Sequence, residues 1–198
     1  MKVAIIKYNA GDIYSVVHAM ERLGITPEVT DSPERLMQAD RILFPGQGEA
    51  KSTMAYLREH KLDSLIRDLK QPVLGICIGQ QLMCRHSEEG DVDCLGIFDA
   101  DVRRFCPKVH ADKVPHMGWN SLRETKGQLF KEITENEFVY FVHSYYVPLT
   151  AYTTAVTDYI VPFSASLQKD NFYATQFHPE KSGSVGERIL KNFLDLKL

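Results

Sequence analysis

Cys77 lies in Gly75-Ile76-Cys77-Ile78-Gly79, a G-x-C-x-G run. The apolar stretch Pro72-Val73-Leu74-Gly75-Ile76 before it reads as a strand, and residues 79–86 begin a helix. A cysteine on a sharp strand-to-helix turn has the form of a nucleophile elbow, with sulfur in place of the serine hydroxyl. Such a turn strains the backbone of the nucleophile, and the flanking glycines remove side chains that would collide there. The sulfur then sits at a helix N-terminus, which favours thiolate. The N–H of Ile78 is available to an oxyanion. Taken alone, the run also fits a buried structural cysteine in an ordinary strand-to-helix turn.

A second segment, Gln176-Phe177-His178-Pro179-Glu180, sets an imidazole and a carboxylate two residues apart. In extended chain both side chains point the same way. A carboxylate beside an imidazole fixes its tautomer and stabilises its charged form. Cys77, His178 and Glu180 together supply a nucleophile, a general base and its orienter. A histidine at a strand end beside a chance acid is the plainer alternative, and coincidence with the elbow weighs against it. A third segment, Pro45-Gly46-Gln47-Gly48-Glu49, follows the strand Arg41-Ile42-Leu43-Phe44. Its glycines let backbone N–H groups approach a ligand, and a second oxyanion donor is the natural role. It is too short for a phosphate loop and lacks the Gly-Lys-Ser/Thr ending. A fourth, Val142-His143-Ser144-Tyr145-Tyr146, offers a hydroxyl and aromatic rings; by residue type alone it is a strand with polar residues at its end.

The elements that must hold these segments alternate. Residues 2–8 read as a buried strand and 12–23 as an amphipathic helix ended by Gly24. Residues 25–30 and 41–44 read as strands, 50–69 as a helix in two pieces, and 72–76 as the strand into Cys77. Repeated strand and helix is the pattern of a parallel sheet covered on both faces. After about residue 94 the pattern changes, and short β-rich runs at 95–106, 113–118, 138–147, 152–158 and 163–168 read as antiparallel additions. Residues 172–177 form another strand and 185–196 a closing helix, so one domain is expected over 1–198.

With 198 residues, 44% hydrophobic and 25% charged, the chain can bury a core without staples. A net charge of -3 with no basic stripe excludes a nucleic-acid or membrane-surface footprint. Cys77, Cys84, Cys94 and Cys106 form no C-x-x-C pair and have no histidine at zinc-finger spacing, so no metal site and no disulfide framework is expected. The apolar start is too short for a secretory signal and no run reaches transmembrane length, which points to the cytoplasm.

Together the segments resemble the class I, triad-type glutamine amidotransferases. That family carries a P-G-x-G loop, a G-x-C-x-G-x-Q elbow and a late H-P-E, here Pro45–Gly48, Gly75–Gln81 and His178–Glu180, in that order and across nearly the whole chain. The resemblance implies a flavodoxin-like α/β fold: a mostly parallel sheet, helices on both faces and antiparallel additions in the C-terminal half. It implies hydrolysis of glutamine to glutamate and ammonia by Cys77, His178 and Glu180, without cofactor. Gly46, Gly48, Gln81, Ser144 and Tyr145 would hold the glutamine, and Gln47 and Ile78 would donate to the oxyanion.

A narrower resemblance runs through Val114–Asn120, Phe141–Tyr146, Gln176–Ser182 and Asn9–Val16. It is to HisH, the glutaminase subunit of imidazole glycerol phosphate synthase. In that family the subunit docks on a HisF-type (β/α)8 barrel cyclase and ammonia passes through the barrel. The products are imidazole glycerol phosphate and an aminoimidazole carboxamide ribonucleotide. The isolated subunit is nearly inactive there, which fits an oxyanion loop that is not preorganised without the partner. Asp12, Trp119, Asn120 and Lys181 would face the partner or line the ammonia exit. Asp12, Gln47, Ile78 and Gln80 depart from the family's usual residues, which bears on docking and loop behaviour and leaves the triad intact. Glutaminases of other synthases, a cysteine hydrolase on a related fold and a non-catalytic scaffold are the rival readings.

Overall fold

A computed structural model of the chain describes residues 1–197. The elements in chain order are β1 (Val3–Ile6), α1 (Ile13–Arg22), β2 (Glu28–Thr30), α2 (Pro33–Gln38), β3 (Arg41–Phe44), α3 (Ala50–Glu59), α4 (Leu62–Asp68), β4 (Val73–Ile76) and α5 (Ile78–Leu82). The second half holds β5 (His86–Ser87), β6 (Val92–Asp93), β7 (Asp101–Arg104), β8 (His116–Ser121), β9 (Phe138–His143), β10 (Tyr145–Tyr146), β11 (Thr153–Tyr159), β12 (Val161–Lys169), β13 (Phe172–Thr175) and α6 (Gly183–Leu194).

The main sheet has seven strands in the order β11-β12-β13-β4-β3-β1-β2. The run β13-β4-β3-β1-β2 is parallel, and β12 and β11 add antiparallel at one edge. This is the expected architecture, and its reason is visible in β1, β3 and β4, which are buried along their whole length. Successive side chains of a strand point to opposite faces. Ala4, Ile6, Ile42, Phe44 and Val73 therefore pack with Leu36 of α2, Met54 and Leu57 of α3, and Leu62 and Ile66 of α4. Val3, Ile5, Leu43, Leu74 and Ile76 pack the other way, against Val16 and Met20 of α1 and Ile189, Leu190 and Phe193 of α6. Among the described residues no helix is long and apolar enough to cross a membrane.

Four local outcomes differ from the sequence reading. α2 was not foreseen, although Ser32 caps it by accepting from the Arg35 N–H at 3.4 Å and Pro33 takes its first turn. α5 ends at Leu82 rather than 86. The carbonyls of Leu82, Met83 and Cys84 accept from the N–H groups of Leu95, Ile97 and Gly96 at 2.8–2.9 Å, so the helix is stopped by a crossing segment. That same segment is consumed as the cap, which leaves only Asp101–Arg104 of the 95–106 run as strand. Beside the main sheet lie a small sheet, β10-β7-β5-β6, and a two-stranded ribbon, β8-β9. The β5 and β6 strands had no counterpart in the sequence reading.

Candidate active site

The strands β13, β4 and β3 are neighbours and parallel, so their C-terminal ends lie side by side. From them issue the His178 segment, Cys77 and the Pro45–Glu49 loop. Residues far apart in sequence meet because three parallel strands stop at one edge.

Cys77 has φ 56° and ψ -107°. This is a strained conformation for a side chain with a Cβ, stored at the turn as an elbow requires. Its N–H extends the ladder by donating to Thr175 O at 2.8 Å. A Cβ on Gly79 would lie 2.0 Å from Phe44 O, and one on Gly75 would lie 2.9 Å from the Gly79 carbonyl carbon. Both glycines are therefore set by close packing, as the sequence pattern implied. Ile78 opens α5, where an N–H has no partner within its own helix.

His178 Nδ1 lies 2.7 Å from Glu180 Oε1, and the two side chains are 2% and 3% exposed. A carboxylate can only accept, so the proton is on Nδ1 and Nε2 is turned toward Cys77. Nε2 is buried and has no hydrogen bond of good geometry, as does Glu180 Oε2. Burial works against a charged ring, but the negative charge on Cys77 and then Glu180 outweigh it, and the pKa of His178 is raised to about 10. The environment thus favours an imidazolium at His178. The His178 N–H donates to Tyr140 O at 2.9 Å, and Ser182 Oγ joins the His178 carbonyl to the Tyr140 N–H, which pins the turn to β9.

A cavity of about 340 Å³ opens over the sulfur. Gln47, Gly48, Ile78, Gln81, Ser144 and Tyr145 line it. The Gln81 Nε2 hydrogens go to Tyr145 O at 3.0 Å and Gln176 Oε1 at 2.9 Å, so Gln81 meets a ligand only as an acceptor through Oε1. Gln176 Nε2 in turn lies 3.7 Å from Cys77 Sγ. Gly46 is buried behind the loop rather than in the cavity, at φ 148°, where a Cβ would meet Tyr8 Oη at 2.0 Å. Tyr8 donates to Pro45 O there.

The sequence reading did not include Glu89, which also lines the cavity. It is half-buried, its carboxyl is pushed up by burial, and it accepts from the Ala50 N–H at 2.9 Å. It adds a carboxyl group to the cavity wall. No local pattern marks it; only the β5 turn brings it in. Among the described residues no group of three or more His, Cys, Asp or Glu side chains is placed to hold a metal ion.

Two further expectations require correction. The Gln47 N–H is not free for an oxyanion: it points to Gly11 O at 3.4 Å, while the Gly11 N–H donates to Gln47 O at 2.9 Å. This short antiparallel bridge turns the donor away from Cys77. Asn120 does not face outward beside Trp119, because neighbouring strand residues alternate sides. Trp119 is 55% exposed, whereas Asn120 Nδ2 points in to Asp158 O at 3.1 Å and His116 Nε2 at 3.3 Å. Asp12 and Lys181 pair with each other at 2.6 Å and are both partly exposed.

Comparison with known proteins agrees with this geometry. The family model for class I glutamine amidotransferases matches residues 5–196. A Bacteroides fragilis protein named imidazole glycerol phosphate synthase subunit HisH is 65% identical over 196 residues, covering 99% of this chain and all of the relative. The Escherichia coli K12 protein of the same name is 44% identical over 198 residues, again covering 99% of this chain and all of the relative. A crystal structure titled glutamine amidotransferase superposes with a TM-score of 0.73 at 19% identity, covering 98% of both chains. The PurLQS structure from Thermotoga maritima gives a TM-score of 0.70 at 14% identity over 98% of this chain and 97% of its own. A strained cysteine elbow, a buried His–Glu pair and a full-length family match lead to one conclusion: this chain belongs to the class I glutamine amidotransferases.

Proposed function

We propose that the chain, as one domain over residues 1–198, is the glutaminase subunit of an imidazole glycerol phosphate synthase. The observation that carries this reading is the approach of Cys77, His178 and Glu180 under a glutamine-sized cavity, in a chain whose 65%-identical relative bears that name over its full length. The Cys77 thiolate attacks the carboxamide carbon of glutamine. A C–S bond forms and the C=O electron pair moves onto oxygen, where the Ile78 N–H donates to it. The tetrahedral centre collapses, and His178 Nε2–H protonates the departing nitrogen, which leaves as ammonia. His178 then takes a proton from water, the hydroxide attacks the γ-glutamyl thioester, and the thiolate leaves as glutamate forms. Glu180 holds the Nδ1 tautomer throughout. The second oxyanion donor, Gln47, becomes available only when its N–H leaves Gly11 O, and this supports a slow isolated subunit.

On this reading the chain works in the cytoplasm without cofactor, and it assembles with a second subunit. That partner is a HisF-type (β/α)8 barrel cyclase. It uses the ammonia to form imidazole glycerol phosphate and an aminoimidazole carboxamide ribonucleotide. Gly48, Gln81, Ser144 and Tyr145 hold glutamine, with Glu89 meeting its ammonium group. Trp119 and the Asp12–Lys181 pair lie on the docking side. The test is glutamate release by the pure protein, with and without the cyclase and its nucleotide ligand. Strong stimulation by the pair, abolished in Cys77→Ala, is expected. Unstimulated full activity would instead favour another synthase or a free-standing hydrolase.

A further inference from the structure

Behind the cavity wall, His116 and His143 face each other across the β8–β9 ribbon, as a paired register position. Both are buried, at 4% and 6% exposure. His143 also lines the cavity. His143 Nδ1 lies 2.7 Å from Tyr145 O, and a carbonyl only accepts, so that nitrogen carries the proton. Burial holds both rings neutral, so His143 Nε2 is a bare acceptor. His116 Nδ1 lies 3.0 Å from it and must donate. His116 Nε2 is then an acceptor, and Asn120 Nδ2 supplies it at 3.3 Å. The Asn120 amide has no freedom to flip, because Nδ2 also donates to Asp158 O at 3.1 Å and Oδ1 accepts from the Ser121 N–H at 2.8 Å.

Only one proton arrangement satisfies this chain. All four ring nitrogens are used, in a site lined by Phe105, Phe141, Phe163 and Tyr159 that apolar side chains would fill equally well. The relay ends on the Tyr145 carbonyl, which also takes the Gln81 hydrogen bond at 3.0 Å. Gln81 continues to Gln176 at 2.9 Å, and Gln176 to Cys77 Sγ at 3.7 Å. One line of hydrogen bonds thus joins the strand that carries exposed Trp119 to the glutamine pocket and the nucleophile.

We infer that His116 and His143 are positioning residues for glutamine: the relay from Asn120 through both rings fixes the Tyr145 carbonyl and with it the acceptor face of Gln81. The inference rests on the glutaminase reading above. The discriminating variants are His143→Asn and His143→Gln. Asparagine carries its amide nitrogen where Nδ1 sits and can still donate to Tyr145 O; glutamine carries it where Nε2 sits and cannot. Each variant is assayed for glutamate release in complex with the cyclase and its nucleotide ligand. His143→Asn is expected to keep KM within about threefold of wild type. His143→Gln is expected to raise KM about tenfold with a much smaller change in kcat, the signature of lost ground-state binding. Equal KM values for the two variants, whether both high or both normal, would overturn the inference, since packing alone does not distinguish the two nitrogens. Should neither fold, His116→Asn, which keeps a donor to His143 Nε2, is compared with His116→Phe, which keeps the ring. The same ordering is expected there, and equal KM again overturns the inference. A wild-type complex that releases no glutamate would overturn the glutaminase reading and this inference with it; an active wild type beside indistinguishable variants overturns the inference alone.

Discussion

Gly79 shows how tightly a single residue can be constrained by the chemistry beside it. The strained Cys77 backbone is held because α5 starts directly against the end of β3, with no room for a side chain between Gly79 and Phe44 O. A methyl group at Gly79 must push the elbow away from β3. Gly79→Ala is expected to cost about 1–3 kcal/mol through overpacking. It is also expected to lower partner-stimulated glutaminase activity about a hundredfold, because displacement of a nucleophile by an ångström has effects of that order. Thermal denaturation and glutamate release measure the two effects, and an unchanged melting temperature with full activity would contradict the packing argument. This site was legible in sequence because its requirements are local: two glycines around a cysteine, and an acid two residues beyond a histidine. Glu89, Gln176 and His116 were not, because each acts through neighbours tens of residues away.

At the scale of elements, the β8–β9 ribbon buries two imidazoles that resist protonation. Burial lowers the pKa of His116 to about 4 and that of His143 to about 3. In the unfolded chain both titrate near 6.5. Between pH 6.5 and about 5 the unfolded state therefore binds protons that the folded state does not, so stability falls as pH falls. His178 opposes this slightly: its raised pKa keeps it protonated in the folded state, while the unfolded chain completes its protonation only as pH falls below 6.5. Linkage makes this loss on the order of 1–2 kcal/mol for each buried ring over that window. The melting temperature is expected to drop by several degrees from pH 6.5 to 5, with about half that slope in His116→Phe. Equal slopes for wild type and variant would show that these rings are not the acid-labile groups. The elements themselves were readable where the pattern is self-contained, as in the fully apolar β1, β3 and β4 or the two-piece α3 and α4. They were misjudged where another segment intervenes. The end of α5 is decided by residues 95–98, and no periodicity within residues 79–86 records that.

For the whole molecule, the parallel sheet sets its chemistry at one edge and leaves an apolar surface beside it. Met117, Trp119 and Phe138 are 64%, 55% and 55% exposed. Register places them on one face of the ribbon, since Met117 pairs with Val142, Trp119 with Tyr140, and Ser121 with Phe138. The opposite face carries His116 and Asn120 into the buried hydrogen-bond relay, so a partner pressing on the outer face acts on the strand that starts the relay. An exposed aromatic cluster of this kind has the composition of an interface centre rather than of an ordinary surface. A buried tryptophan at such a centre contributes about 2 kcal/mol or more to association. Trp119→Ala is therefore expected to weaken cyclase binding about thirtyfold, measured by titrating the cyclase into the subunit. Because the side chain projects into solvent in the free subunit, melting temperature and unstimulated glutaminase activity should stay close to wild type. Stimulated activity should recover at saturating cyclase if Trp119 contributes only affinity. If it stays low at saturation, the side chain also transmits the partner's contact to the pocket. An unchanged dissociation constant would move the docking surface away from this ribbon.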